Sequence, residues 1–380
     1  MNKRIGIILI TMLALTIFLS SCATNVAEPL PDSDASLSPE TSPVPLPEPI
    51  PEPAPEFITI MGEQFSTSLT ELFIVYDDLQ DGDILSLRHM TNLTYLQLHG
   101  NNIRNLSPLS GLVDLKVLYI SGTEIRDLSP LSDLENLTTL ALDLSKISDL
   151  TPLSELTGLT ELRVYRSQIS DISPLSGLKN LAELWFRSDQ IIDITPLAGL
   201  SNLAELSIGP VGEIISLSNL TNLTKLSIWT ESGDLTPLSG LTSLTELFAN
   251  SATNDISPLS GLVSLESLFL SSNQISDLAP LSGLVNLTEL TIIETLISDI
   301  RPLSGLINLT SLTITSSQVS DIQPLSALTN LSYLALGSNQ ISDLRPLSGL
   351  TNLAELNLES NYLITDWSPV THVPLVWGRN

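Results

Sequence analysis

The chain has 380 residues, with 15 Lys or Arg against 42 Asp or Glu and a formal net charge of −27. The basic surface that displaces counterions from DNA or RNA is therefore missing, and we expect no nucleic-acid partner. A single cysteine excludes an intramolecular disulfide, and three histidines scattered far from it disfavour a His/Cys metal site. Hydrophobic residues make up 42% of the chain, which is enough for a large core.

Residues 1–21 have the pattern of a secretory signal peptide. Lys3 and Arg4 precede an apolar run over residues 5–19, which is shorter than the roughly 20 residues that a helix needs to cross a bilayer. The run ends in Leu19-Ser20-Ser21-Cys22, which resembles the lipobox of bacterial lipoproteins. That resemblance implies lipidation of Cys22 and a membrane anchor outside the cytoplasm. The alternative is an ordinary signal peptide in which this cysteine is incidental.

Residues 22–56 are predicted to form a lipidated start and a proline-rich stalk. Ten of the positions from 23 to 56 are Pro, which cannot donate to a regular backbone ladder. An extended polyproline-II spacer of about 3.1 Å per residue is expected, with seven acids and no bases to extend it further. A second possibility is a Pro-rich ligand for the aromatic groove of a partner.

The remainder repeats one 22-residue unit with few departures in length. A complete copy reads Leu265-x-x-Leu268-x-Leu270-x-x-Asn273-x-Ile275-x-Asp277-Leu278-x-Pro280-Leu281-x-x-Leu284. Its first half alternates apolar and polar positions as a half-buried strand does. In its second half, Pro is suited to the first position of a helical or 3-10 turn, with Asp three residues earlier placed to cap exposed N–H groups. Neighbouring units must share their apolar faces, because one unit cannot bury its own.

This pattern is that of leucine-rich repeats, and the 22-residue form resembles the internalin-like bacterial subclass. The resemblance implies a leucine-rich-repeat solenoid with a curved parallel sheet on its concave side and helical or 3-10 turns on its convex side. It also implies interaction with a protein partner. We expect an N-terminal cap at residues 57–68, repeats over 69–365 and a C-terminal cap at 366–380, with Trp367 and Trp377 covering the last repeat.

Fourteen strand starts are predicted, and three units are shorter than the rest. The short units begin at Leu203, Leu223 and Leu244, and each lacks one or two positions of the regular repeat. The missing positions fall just after each strand, so a local change in curvature or an exposed loop edge is expected there. A deletion without functional consequence is the alternative.

Positions three, five and seven of L-x-x-L-x-L-x should face solvent on the concave side. Large aromatic and arginine side chains concentrate there between the units that start at Leu115 and Leu265, and packing of the framework does not require them. The predicted ligand-binding residues are Tyr119, Arg163, Tyr165, Trp185, Arg187, Trp229, Phe248 and Phe269. Such residues dominate interface energetics, although strands favour aromatic residues in any case. The third position is instead rich in Glu, which we interpret as a solubilising rim.

Catalytic and cofactor motifs are sparse, so we expect no enzyme activity, no cofactor and no metal. Ser and Asp fall in turns and caps, and His99 is the one histidine predicted on the concave face. The acids of residues 77–83 suit either a Ca²⁺ site or a turn with an Asp cap. The resulting hypothesis is a lipid-anchored monomer that binds a protein through its concave face. The alternative is a cell-envelope polysaccharide bound by the aromatic patch.

Overall fold

The computed structural model describes residues 55–100, 102–143, 146–188, 190–271 and 274–379. The predicted signal peptide, Cys22 and the stalk as far as residue 54 lie outside the described residues. The first element among the described residues is an antiparallel hairpin of β1 (Phe57–Ile60) and β2 (Glu63–Ser66). Ile58 and Ile60 of this hairpin are buried in the same core as the repeats.

The repeats form a 15-stranded parallel sheet in which the strands lie in chain order. The fold class predicted from the sequence, a leucine-rich-repeat solenoid, is confirmed. The strands are β3 (Glu71–Val75), β4 (Tyr95–His99), β5 (Val117–Ser121), β6 (Thr139–Asp143), β7 (Glu161–Tyr165), β8 (Glu183–Phe186), β9 (Glu205–Val211), β10 (Lys225–Thr230), β11 (Glu246–Ser251), β12 (Ser267–Ser271), β13 (Glu289–Ile293), β14 (Ser311–Thr315), β15 (Tyr333–Ala335), β16 (Glu355–Asn357) and β17 (Leu375–Trp377).

Most strands of the 15-stranded sheet bury every second side chain. In β7, Leu162 and Val164 are fully buried while the residues on either side reach solvent. Equivalent residues of successive repeats lie opposite one another, so that Leu162 pairs with Leu140 of β6 and with Leu184 of β8. The framework leucines therefore form continuous columns along the solenoid, and each repeat completes the core of the next.

The second half of each unit is a short 3-10 turn. These turns are Leu85–His89, Ser107–Leu109, Ser129–Leu131, Thr151–Leu153, Ser173–Gly177, Thr195–Gly199, Ile215–Asn219, Thr236–Leu238, Ser257–Gly261, Ala279–Leu281, Arg301–Gly305, Gln323–Ala327, Arg345–Leu347 and Ser368–Val370. Where proline is present, it occupies the second turn residue rather than the first position predicted from the sequence. The residue before it keeps its N–H, which donates to the repeat aspartate, as from Ala279 to Asp277 Oδ1 at 2.8 Å.

Asparagines of the Asn-Leu-Thr triplets connect one repeat to the next. Asn286 Nδ2 donates to the carbonyl oxygen of Val263 and Asn308 Nδ2 donates to that of Val285, both at 2.9 Å. Asn92, in another such triplet, donates to the carbonyl of Thr67 at 3.2 Å. These asparagines therefore have a framework role, because each of the hydrogen bonds joins two successive repeats.

The three short units lose residues from the return segment, not from the sheet. Their strands β9, β10 and β11 are longer than most, with seven, six and six residues. The pairing of β9 with β10 shifts register after Ile228, so that Thr230 lies opposite Val211. The strands thus continue through the place where other repeats turn.

The C-terminal segment adds a fifteenth strand that the fourteen predicted starts did not include. Trp377 lies in β17, pairs with Asn357 of the last full repeat and is 37% exposed. Trp367 packs against the core instead, with the Arg379 guanidinium 5.6 Å from its ring centroid. One tryptophan therefore contacts the interior and the other extends the sheet.

Two turn aspartates have pKa values lowered to about 2, and they predict a pH dependence. In both cases an arginine two residues later donates to the carboxylate from its side chain and from its backbone N–H. The pairs are Arg301 with Asp299 and Arg345 with Asp343. A depressed folded-state pKa adds stability that is present above the unfolded value of about 4 and is lost as the pH falls through the folded value. We expect stability to decline on acidification between about pH 4 and pH 2.

A carboxyl NMR titration tests this assignment residue by residue. Arg301→Ala should raise the pKa of Asp299 without restoring its ordinary value, because the N–H of residue 301 still donates to the carboxylate. Asp193 serves as the control, since its pKa is lowered mainly by the backbone N–H of Thr195. If the pKa of Asp299 is the same in wild type and in Arg301→Ala, the prediction is contradicted.

Candidate functional site

The eight predicted binding residues all lie on the solvent-facing side of the sheet, which is the concave side of the solenoid. Each is half-buried and directly follows a buried framework residue. None points into the hydrophobic core. Seven of them lie on six strands: Tyr119 on β5, Arg163 and Tyr165 on β7, Trp185 on β8, Trp229 on β10, Phe248 on β11 and Phe269 on β12, while Arg187 lies just beyond β8.

Three of the aromatic rings form a contiguous row across β10, β11 and β12, which we call the aromatic stack, and within it Phe248 and Phe269 are the parallel pair. Phe248 and Phe269 lie directly opposite in the parallel register, with ring centroids 4.1 Å apart and planes 8° from parallel. The Trp229 ring lies 5.4 Å from that of Phe248, and the Arg187 guanidinium lies 4.3 Å from the Trp229 centroid. Contacts of this kind stabilise the observed arrangement of the rings.

Arg163 organises the neighbouring part of the surface. Its guanidinium lies 5.1 Å from the Trp185 centroid, and it is ion-paired with Glu161 at 2.6 Å and with Glu183 at 3.3 Å. The Glu161 contact is an ion pair without a well-aligned hydrogen bond, since neither Nε nor Oε1 has a hydrogen-bond partner. The Trp185 Nε1–H is also buried without a partner.

The glutamates of the third position were predicted to form a solubilising rim. In the structure, several of them form a row that is paired with two cations. Glu161, Glu183 and Glu205 lie opposite one another on adjacent strands, an arrangement of like charges that is unfavourable by itself. Arg163 bridges the first two, and Lys225 lies 3.2 Å from Glu205 and 3.6 Å from Glu246. These two cations between the carboxylates offset the repulsion along the row.

The structure adds two aromatic residues that the sequence analysis did not select. Phe73 and Tyr95 have ring centroids 4.9 Å apart, and Tyr95 lies 5.8 Å from Tyr119. Tyr95 occupies the third position of its repeat, which was interpreted only through its glutamates. A search of all three exposed positions for aromatic residues would have found it.

A notch of about 370 Å³ opens in this surface between Tyr119 and Tyr165. We call it the tyrosine notch, and its lining includes Tyr95, Gln97, Tyr119, Ala141, Asp143 and Tyr165. Ala141 lies opposite Tyr119 on one side and Arg163 on the other, so a small side chain interrupts a row of large ones. Burial raises the pKa of Tyr119 and of Tyr165, so both phenols are neutral at physiological pH.

A histidine does contact a serine on this face, but the pair lacks the third member of a hydrolase triad. His99 Nδ1 lies 2.8 Å from Ser121 Oγ. Asp143 lies opposite Ser121 on the far side from the histidine, where it cannot orient the imidazole. Across the described ranges, no carboxylate is hydrogen-bonded to His99.

Two of the four acids of residues 77–83 cap backbone N–H groups. Asp81 Oδ1 accepts from the N–H groups of Arg104 and Asn105 at 2.6 and 2.9 Å, and Asp83 Oδ2 accepts from Gln80 at 2.9 Å. These contacts favour the turn-and-cap alternative over Ca²⁺. In the part of the chain that the structure describes, no three His, Cys, Asp or Glu side chains are grouped so that they could hold a metal ion.

The repeats are similar to those of known leucine-rich-repeat proteins. The family described as leucine-rich repeats (2 copies) matches residues 263–305 and 329–372. The crystal structure of an internalin from Listeria monocytogenes is 33% identical, with a TM-score of 0.67, over 84% of this chain and 91% of that one. The chain belongs to the internalin family of leucine-rich-repeat proteins.

Other solved structures share the fold of this internalin-like chain at lower identity. A leucine-rich-repeat protein of Leptospira interrogans is 22% identical with a TM-score of 0.71, over 80% of this chain and 81% of that one. The functional domain of InlJ from Listeria monocytogenes is 23% identical with a TM-score of 0.62, over 82% and 73%. No curated protein sequence matches the chain. Among the described residues, none of the helices has the length and apolar character to cross a membrane.

Proposed function

We propose that this internalin-like chain is a non-catalytic, lipid-anchored binding protein that recognises a protein partner through its concave face. The observation that carries the proposal is the set of half-exposed rings and arginines held in fixed contacts on that face. Trp, Tyr and Arg are the residues that supply most of the binding energy at protein interfaces. The Arg187, Trp229, Phe248 and Phe269 contacts place four large side chains in one continuous patch.

Affinity capture of envelope and surface proteins by the full chain tests the partner. Wild type should retain a specific protein that the Trp229→Ala/Phe248→Ala double variant loses, with at least about tenfold weaker binding once that protein is purified. Val285→Ala/Ile307→Ala is the matched control, because both residues are about half exposed but do not lie on the solvent-facing strand positions. Capture that is identical for wild type and the Trp229/Phe248 variant would contradict the proposal.

The anchor is proposed from the residues at the start of the chain. Cys22 is expected to carry the lipid, and the proline-rich stalk to hold the repeats away from the membrane outside the cytoplasm. Metabolic labelling with a radioactive fatty acid should mark the wild-type chain and not Cys22→Ala. Label on the alanine variant would exclude this cysteine as the attachment site.

A polysaccharide of the cell envelope is the second candidate ligand. The nearly parallel Phe248 and Phe269 rings and the Trp229 ring are surfaces on which sugar rings stack, and Arg187 beside them suits a carboxylate. Purified envelope polysaccharide should then bind wild type and not Trp185→Ala/Trp229→Ala. Failure of the wild type to bind any such polysaccharide would eliminate this alternative.

A further inference from the structure

The tyrosine notch is a separate feature of the concave face, formed by one small residue. Strand neighbours lie about 4.8 Å apart, so Tyr119 and Arg163 are about two strand spacings from each other across Ala141. The absence of a large side chain at Ala141 leaves a space between the Tyr119 and Tyr165 rings. The notch is therefore a gap with room for one side chain.

Charge around the notch favours a cation. The Asp143 carboxylate lines it and, within the residues that the structure describes, makes no hydrogen bond or ion pair. The nearby arginines are engaged elsewhere: Arg163 with Trp185 and two glutamates, and Arg187 with Trp229. The chain as a whole carries a net charge of −27, which attracts basic partners over a longer range.

The hydrogen-bond acceptors and the apolar surfaces that line the tyrosine notch are suited to an alkyl-ammonium group. An ammonium has three donors and no acceptor, and the notch offers the Asp143 carboxylate beside the Ser121 hydroxyl on the adjacent strand. Tyrosine ring faces attract a cation, and the aliphatic stem of a lysine packs on such rings and on a methyl group like that of Ala141. A lysine side chain uses all three features at once.

We propose that the tyrosine notch binds a lysine side chain of the protein partner, with its ammonium group against Asp143 and its stem between Tyr119 and Tyr165. This assignment rests on the proposed function, because it places one residue of the partner on the concave face. It adds a charge requirement at the notch that the Trp229, Phe248 and Phe269 stack does not impose. Acetylation of that lysine would remove both its charge and its fit.

Saturation-transfer NMR on the full chain tests the proposal with a capped Gly-Gly-Lys-Gly-Gly peptide as the probe. The lysine methylenes should receive saturation, with a dissociation constant on the order of 1 mM. The same peptide with an acetylated lysine should show none. Binding of the acetylated peptide at equal strength, or of neither peptide, overturns the assignment.

Two variants locate the binding within the notch. Asp143→Asn should weaken the lysine peptide at least about tenfold, and Ala141→Tyr should abolish binding by filling the space with a residue that strands accept. Asp114→Asn is the control, since that aspartate is exposed and lies outside the strands. Unchanged binding by Asp143→Asn overturns the proposal. A partner still captured through Trp229 and Phe248 would then show that the proposed function stands without the notch.

Discussion

Phe186→Ala is expected to lower the free energy of unfolding by about 3–5 kcal/mol, whereas Trp185→Ala, one residue earlier, should lower it by about 1–2 kcal/mol. Phe186 is 1% exposed and is the largest fully buried side chain of the core. Its removal leaves a cavity between two repeats, in a molecule whose stability is a sum over such interfaces. Trp185 faces solvent on the opposite side of the same strand and loses mainly its contact with Arg163.

Urea unfolding followed by circular dichroism measures both variants. The pair is matched in position and in strand, so the comparison isolates the face of the sheet on which the side chain lies. At a low temperature, at which the Phe186→Ala variant is still folded, its affinity for the partner of the concave face should equal that of wild type. If the two substitutions lower the free energy of unfolding by the same amount, the distinction between framework residues and recognition-surface residues would be wrong.

The leucine framework was predictable from the sequence because each framework position has a single physical role. A leucine at position one, four or six packs against the same position one repeat away, as Leu140, Leu162 and Leu184 do. The repeat period therefore determines the strands, their parallel register and the side that faces solvent. The same repetition identified the aspartate that precedes most of the turns, although its hydrogen-bond donor is the residue before Pro.

Features that depend on contacts between neighbouring exposed residues were not predictable in the same way. The tyrosine notch exists because Ala141 is small between Tyr119 and Arg163, and sequence analysis selects large residues, not gaps. Strand β17 was missed because its Leu375-Val376-Trp377 sequence lacks the L-x-x-L-x-L frame and pairs through the backbone with the repeat before it. Both arrangements depend on which residues lie opposite one another on neighbouring strands, so neither follows from the large residues or from the L-x-x-L-x-L frame alone.

Gly209 gives the second large effect, because it lies where two strands approach closely beside the aromatic stack. Its φ of +138° is a conformation that other residues rarely adopt, and a Cβ there would lie 2.6 Å from the Trp229 carbonyl oxygen and 2.8 Å from the Trp229 Cβ. Gly209→Ala should therefore cost about 1–3 kcal/mol in backbone strain alone. It should also push Trp229 away from Arg187 and Phe248.

Two measurements distinguish backbone strain at residue 209 from displacement of the Trp229 ring. Urea unfolding reports the stability loss, and the 19F resonance of 5-fluorotryptophan at Trp229, assigned with Trp229→Phe, reports movement of the ring. Gly240→Ala is the control: no atom lies within 4 Å of its added methyl group, so it should leave the resonance in place and raise stability by about 0.4–1 kcal/mol. An unshifted Trp229 resonance in Gly209→Ala would mean that the backbone at residue 209 does not position the stack. The loss of stability would then be confined to β9, and the ring contacts of Trp229 would be set by Arg187 and Phe248 alone.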